Sequence, residues 1–191
     1  MNYSLTKRIF DIILSLTLIL LFWPFFLVVS ILILLTSGFP ILHWSERIGQ
    51  HNISFKMPKL RTMRLNTPDL ATHLLKSPEK YLTPAGPFLR KTSFDEIPQL
   101  WSVLTGKMSI VGPRPALFNQ HNLKLGRTLT GVSALRPGIT GWAQVNGRDL
   151  LTIEEKIKYD TYYLNNRSFL FDIYIIALTI SGVASAKGIN H

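Results

Sequence analysis

Apolar residues run almost without interruption from Ile9 to Leu42, and the stretch from Ile12 to Leu42 holds no charged side chain. A run this long predicts a membrane helix. Pro24 divides it, removing a backbone hydrogen bond and predicting a kink. Each limb has about 12 to 15 residues, roughly 18 to 23 Å of helix, which is short of a ~30 Å hydrocarbon core. Both flanks are basic, with Lys7 and Arg8 before the run and Arg47, Lys56, Lys59 and Arg61 after it. Basic flanks mark the cytoplasmic side, so a re-entrant hairpin over residues 1–44, broken at Pro24, is favoured over one tilted span. No small-residue cleavage site follows the run, which argues against a secretory signal.

From residue 45 to 191 the pattern shifts to a mixed, helix-rich α/β domain. "ISFKMPKLRTM" predicts a strand followed by a basic turn, and 69–80 a short helix. A helix is expected from Asp95 through "IPQLWSVLTG" to Gly106, and "MSIVGPRP" reads as a short buried strand ending in a rigid loop. "RPGITGWAQVNGR" carries three glycines and a proline, favouring a shaped or mobile loop over a core element. "TIEEKIKYDTYYLNN" predicts a helix with Thr152 and Glu155 as a capping box. The last apolar segment puts Phe169, Ile173, Ile176, Ile180 and Val183 on one stripe, interrupted by Asp172, which predicts an interfacial or core-packed helix.

The 191 residues carry a net charge of +10, so a negatively charged partner is expected: anionic lipid, a phosphorylated small molecule or nucleic acid. The absence of cysteine excludes disulfides and thiolate chemistry, and the five scattered histidines lack metal-ligand spacing.

The adjacent carboxylates of "RKTSFDEIPQLW", Asp95 and Glu96, admit two readings. With Pro98 in a first turn, Asp95 is a helix N-cap and Glu96 favours the dipole. Alternatively they do chemistry. Lys59, Arg61, Arg90, Lys91, Arg114, Arg136 and Arg148 flank short, turn-rich segments, and phosphoryl transfer needs guanidinium forks, a carboxylate for Mg²⁺ and sometimes a carboxylate nucleophile.

"FKMPKLRTM", "FLRKTSFDEIPQLWSVLTGKMSIVGPRP" and "RPGITGWAQVNGR", in this order after an apolar proline-containing N-terminus, resemble the bacterial sugar transferases. These are the monotopic polyprenyl-phosphate phosphoglycosyl transferases. The likeness spans nearly the whole chain and matches a minimal catalytic form. It implies a re-entrant membrane helix, a catalytic domain with interfacial helices, and a location on the cytoplasmic face of the bacterial inner membrane. It implies transfer of a sugar phosphate from a UDP-sugar to polyprenyl phosphate through a covalent aspartyl intermediate, with Mg²⁺ as cofactor. Carried over by motif, Asp95 matches the nucleophile and Glu96 the Mg²⁺ ligand, while Lys59, Arg90 and Arg114 match substrate-phosphate positions. Arg61, Arg148 and Asp160 also fall on motif positions, two of them with an alternative: lipid headgroups for Arg61, a salt bridge for Asp160. Pro24 matches the helix-breaking proline, although Trp23 precedes it where serine is expected; Lys107 and Pro87 also depart from the usual residues. Anionic membrane lipids and a homo-oligomer are further expected partners. Nucleic acid is not, because the cations lie beside carboxylates that would repel a phosphate backbone.

Overall fold

The structure, a computed structural model, describes residues 3–67 and 77–184. The helix expected over 69–80 lies mostly outside these residues; only a 3₁₀ turn, Pro78–Tyr81, is seen at its end. The chain opens with α1 (Tyr3–Ser37), 35 residues long and apolar enough to cross a membrane. It runs through Pro24 as one element, where the sequence predicts two limbs. Proline deletes only one N–H here. Both neighbouring turns are held from outside, since the Phe22 and Phe25 rings lie 5.9 and 4.6 Å from that of Phe94.

One face of α1 is fastened to the folded body along its length. Lys7 Nζ donates to Asp172 at 2.8 Å. Arg8 donates to the carbonyls of Val103 and Leu104 at 2.7 and 2.8 Å. These are last-turn carbonyls of α3 (Gln99–Leu104), and that of Val103 also accepts from the Gly106 amide at 3.0 Å. Asp11 Oδ1 accepts from the Ile110 amide at 3.0 Å. Leu14, Leu18 and Ile19 then pack on a core built from Met57, Val103, Met108 and Ile175. Val29 and Ile33 pack with Leu60 and Leu89. At the far end Arg61 donates to the carbonyls of Ser37 and Phe39 at 2.6 and 3.2 Å. The opposite face stays apolar and open, with Leu20 76% and Leu35 78% exposed.

Beyond α1, β1 (Leu42–Ile48) and β2 (Ser54–Leu60) form an antiparallel hairpin that pairs His43 with Lys59 and Arg47 with Phe55. The reading of a strand before the basic turn holds for β2. After α2 (Gly86–Thr92) and α3 come β3 (Ser109–Val111) and β4 (Ala116–Leu117), the latter on the other edge of β1. Next are α4 (His121–Leu129), β5 (Gly138–Thr140), the short α5 (Trp142–Val145), α6 (Ile153–Asn166) and α7 (Phe169–Ala184). β5 pairs in parallel with β3, so part of the glycine-rich segment expected as a loop is buried sheet. The glycines are there for closeness: a Cβ on Gly138 or Gly141 would collide with the backbone of Gly112.

The capping box forms as expected, with Glu155 N donating to Thr152 Oγ1 and Thr152 N to Glu155 Oε2. In α7 the expected stripe divides, with Ile176 packed on the core. Ile173 and Ile180 are exposed, whereas Asp172 and Ile175 are the fully buried positions. Asp172 is no interruption; it accepts from Tyr163 at 2.6 Å, Tyr3 at 3.0 Å and Lys7. This cluster ties α1, α6 and α7 together. Asp172→Ala leaves the Lys7 charge without its carboxylate, and breaking a buried pair costs about 3–5 kcal/mol. Denaturation of the detergent-solubilised protein should show a loss of that order, against about 1 kcal/mol for Thr152→Ala at the α6 cap.

Candidate active site

The two central carboxylates owe their position to a reversal of the chain. α2 ends at Ser93, which has a left-handed φ of 57°. A 3₁₀ turn, Phe94–Glu96, follows, and Pro98 occupies the N-cap of α3. Asp95 therefore does not cap a helix: α3 starts later, at Gln99, and the Asp95 side chain makes no cap hydrogen bond. Both carboxylates are instead buried.

Glu96 is the centre of the site. Its Oε1 receives Lys59 Nζ from β2 at 2.8 Å and Arg114 from the β3–β4 loop at 3.3 Å. The Arg148 guanidinium comes to 3.9 Å from the same oxygen. Arg148 itself has a left-handed φ of 51°, directly after Gly147 at 146°. That backbone is costly for a residue with a side chain, and it sits where the arginine meets the carboxylate. Lys59 Nζ also lies 3.8 Å from Asp95 Oδ2. Arg90, on the last turn of α2, donates to Thr62 Oγ1 at 3.1 Å, and its charge acts on Asp95.

The neighbouring carboxylates are driven apart. Burial pushes the Asp95 carboxyl above its ordinary pKa; Lys59 pulls the other way, Glu96 adds to the rise, and Arg90 and Arg114 offset it only in part. Burial would raise Glu96 too, but the charges of Lys59, Arg114 and Arg148 outweigh it and hold that carboxyl well below the usual range. Glu96 is thus a fixed anion and Asp95 the more basic, more nucleophilic oxygen donor.

A cleft of about 420 Å³ opens beside this cluster. Its charged end is formed by Glu96, Arg114 and Arg148, and its apolar walls include Leu18 and Phe22 of α1 and Leu178 of α7. Thr140 and Thr179, whose hydroxyls are 2.6 Å apart, also line it.

Two expected site residues lie elsewhere. Arg61 is turned onto the C-terminal carbonyls of α1, because β2 ends at Leu60 and the alternation that would align it with Lys59 stops there. Asp160 is buried in a pair with Arg127, whose Nη2 and Nε reach one of its oxygens at 2.6 and 2.9 Å. It touches the site only indirectly, since Arg127 also donates to the Arg114 carbonyl at 2.8 Å.

Reasoning from sequence missed Arg47 as a site residue. Its field reaches Arg114 and Glu96, and it shares the face of the β1–β2 hairpin that carries Lys59. The hairpin register was the available signal: once Gln50–Asn52 is taken as the turn, Arg47 and Lys59 fall on one face.

No group of three or more His, Cys, Asp or Glu among the described residues is arranged to hold a metal. The donor set suits a Mg²⁺ that takes one or two carboxylate oxygens here and the remainder from substrate phosphates and water, the usual habit of this ion.

A family model described as bacterial sugar transferase matches residues 2–186, and the chain belongs to that family. It is 37% identical to a Bacillus subtilis (strain 168) protein named uncharacterized sugar transferase EpsL, over 97% of this chain and 90% of that one. It is also 37% identical to the UDP-glucose:undecaprenyl-phosphate glucose-1-phosphate transferase of Xanthomonas campestris pv. campestris. That match covers 97% of this chain but only 40% of the longer relative. The exopolysaccharide production protein ExoY of Rhizobium meliloti (strain 1021) is 34% identical, over 97% of this chain and 88% of its own.

The opposed shifts give opposite stability effects. Asp95 has a folded pKa above its unfolded one, so its ionisation costs stability as pH rises through that interval, and the cost persists at pH 7. Glu96 has a folded pKa below its unfolded one; its contribution is present above the unfolded value near 4.3 and is lost as pH falls toward the folded value. At pH 7 Asp95→Asn should therefore melt at or above the wild-type temperature. Glu96→Gln should melt several degrees lower, having left three cations facing one another.

Proposed function

We propose that this protein transfers a sugar phosphate from a UDP-sugar to polyprenyl (undecaprenyl) phosphate at the cytoplasmic face of a bacterial inner membrane, releasing UMP and beginning a lipid-linked glycan. One observation carries the reading. A buried carboxylate pair with opposed basicities sits among Lys59, Arg114 and Arg148 at the charged end of a cleft whose other walls are apolar helix. Such a cleft suits an acceptor with a phosphate head and a hydrocarbon tail. The relatives named UDP-glucose:undecaprenyl-phosphate glucose-1-phosphate transferase support the same choice.

In this mechanism an Asp95 oxygen attacks the phosphorus that bears the sugar. The anhydride bond to the uridylyl phosphate breaks and UMP leaves with that electron pair. A phosphate oxygen of the lipid then attacks the same phosphorus and the acyl-phosphate bond breaks. Asp95 is restored and the sugar remains on a polyprenyl diphosphate. Lys59, Arg114 and Arg148 hold the phosphate oxygens and meet the charge that develops on them. Lys59 and, behind it, Arg90 favour the ionised form of Asp95 against its burial. Glu96 would be the carboxylate that holds Mg²⁺, which would supply neutralisation of phosphate charge.

The path of α1 supports insertion from one side. Its contacts with the folded body recur from Lys7 to Ser37, so no stretch of about 20 residues stands clear to span a ~30 Å core. The apolar outer face is left for lipid. Cysteines placed at Ser4 and Glu46 should both resist an impermeant thiol label in intact cells. Labelling of Ser4→Cys from outside would mean a span.

The chemistry is tested by intact-protein mass spectrometry after exposure to a panel of UDP-sugars without lipid acceptor. Wild type should gain one sugar phosphate and release one UMP. Asp95→Asn should gain nothing and lose turnover while remaining folded; Glu96→Gln should keep the nucleophile but react more slowly and with weaker Mg²⁺ dependence. A fully active Asp95→Asn enzyme would exclude the covalent route.

A further inference from the structure

The loop between β3 and β4 carries Arg114 and is held by two other arginines whose charges are met differently. Arg127 donates to the Arg114 carbonyl and is neutralised by the buried Asp160 at 2.6 Å. Arg47 reaches the next carbonyl, Pro115, at 3.5 Å and donates through Nε to Ser45 Oγ at 3.0 Å. Both of those acceptors are neutral. No carboxylate among the described residues forms an ion pair with Arg47. The charges that act on it are Arg114, of like sign, and Glu96, which already serves Lys59, Arg114 and Arg148. Burial, together with Arg114, depresses the Arg47 pKa to about 10.

A half-buried guanidinium beside another, with no carboxylate of its own, is an expensive arrangement in the absence of an anion. Around the two carboxylates Asp95 and Glu96 stand five cations, Arg47, Lys59, Arg90, Arg114 and Arg148. The cations outnumber the carboxylates, and the excess of positive charge suits a multiply charged anion such as a diphosphate. Lys59 and Arg47 lie on one face of the hairpin, four residues apart in register, or roughly 13 Å along the strand. Side chains of this length converge on the space between them, where Glu96 and Arg114 meet.

We infer that Arg47 is a substrate-binding residue, forming with Arg114 the second jaw of a phosphoryl site that faces Lys59. The inference rests on the sugar-phosphate-transfer reading only for the identity of the anion, which could be the nucleotide diphosphate or the lipid phosphate. Arg47→Gln removes the charge; Arg47→Lys retains it without the planar fork.

The first measurement needs no turnover. Calorimetric titration of inorganic pyrophosphate into the full-length protein, without Mg²⁺, should show affinity falling about tenfold or more in Arg47→Gln, the worth of one charge-assisted contact. Arg47→Lys should recover most of it, and the unfolding midpoint of each variant without ligand reports its fold. Two further arms identify the source. A raised half-saturation for UDP-sugar in adduct formation assigns the nucleotide; a raised half-saturation for polyprenyl phosphate in discharge of the adduct assigns the lipid. Equal pyrophosphate affinity in wild type and Arg47→Gln, or no binding by wild type, overturns the inference. Absence of UMP release by wild type, with pyrophosphate affinity still dependent on Arg47, would sink the transfer reading alone.

Discussion

The convergence of Lys59, Arg114 and Arg148 on one oxygen of Glu96 is the constraint around which the other parts are arranged. The three cations come from β2, from the β3–β4 loop and from the turn after α5. No two are close in sequence, so the carboxylate closes the fold as well as the site. A buried carboxylate alone costs several kcal/mol, and so do three crowded cations; each makes the other tolerable. The arrangement also pre-pays for an anion, because guanidinium and ammonium groups already stripped of water can take phosphate oxygens without reorganising.

Around that hub, α1 acts as a structural beam more than a mere anchor. Its polar contacts are few and placed at strategic points: Lys7 on Asp172, Arg8 on the open end of α3, Asp11 on the amide of β3. Arg61 does for the C-terminus of α1 what Arg8 does for α3. Between those fastenings the helix supplies Leu18 and Phe22 to the cleft. The long apolar helix and the charged cluster therefore line one cleft.

Much of this architecture was legible beforehand, for identifiable reasons. The strand β2, the strand β3, the α6 cap and the long apolar helix follow from alternation, capping chemistry and length, all local properties. Asp95 and Glu96 could be singled out by motif, but their local conformation could not. The left-handed Ser93 that turns them inward leaves no mark in a residue pattern, since serine is common at helix starts. The role of Asp172 is not legible from periodicity, because its partners Tyr163, Tyr3 and Lys7 come from two other helices. Asp160 and Arg61 were near the right place with the wrong partner: motif position reports neighbourhood, and burial decides which cation or carbonyl each finds. Arg47 was passed over as a flanking charge because its role depends on hairpin register and on a loop nearly 70 positions away.

The glycine contacts between β3 and β5 have a mechanical meaning. Gly112 leads into the loop that carries Arg114, while Gly138 and Gly141 belong to the segment that leads to Arg148. Their backbones touch with no side chain between, so the two segments behave as a single rigid jig instead of two independently sprung arms. The gap between the guanidinium groups is then gauged by main-chain thickness, the least compressible spacer a protein has. A single added methyl at Gly138 would act as a wedge, spreading a caliper whose tips are the two arginines.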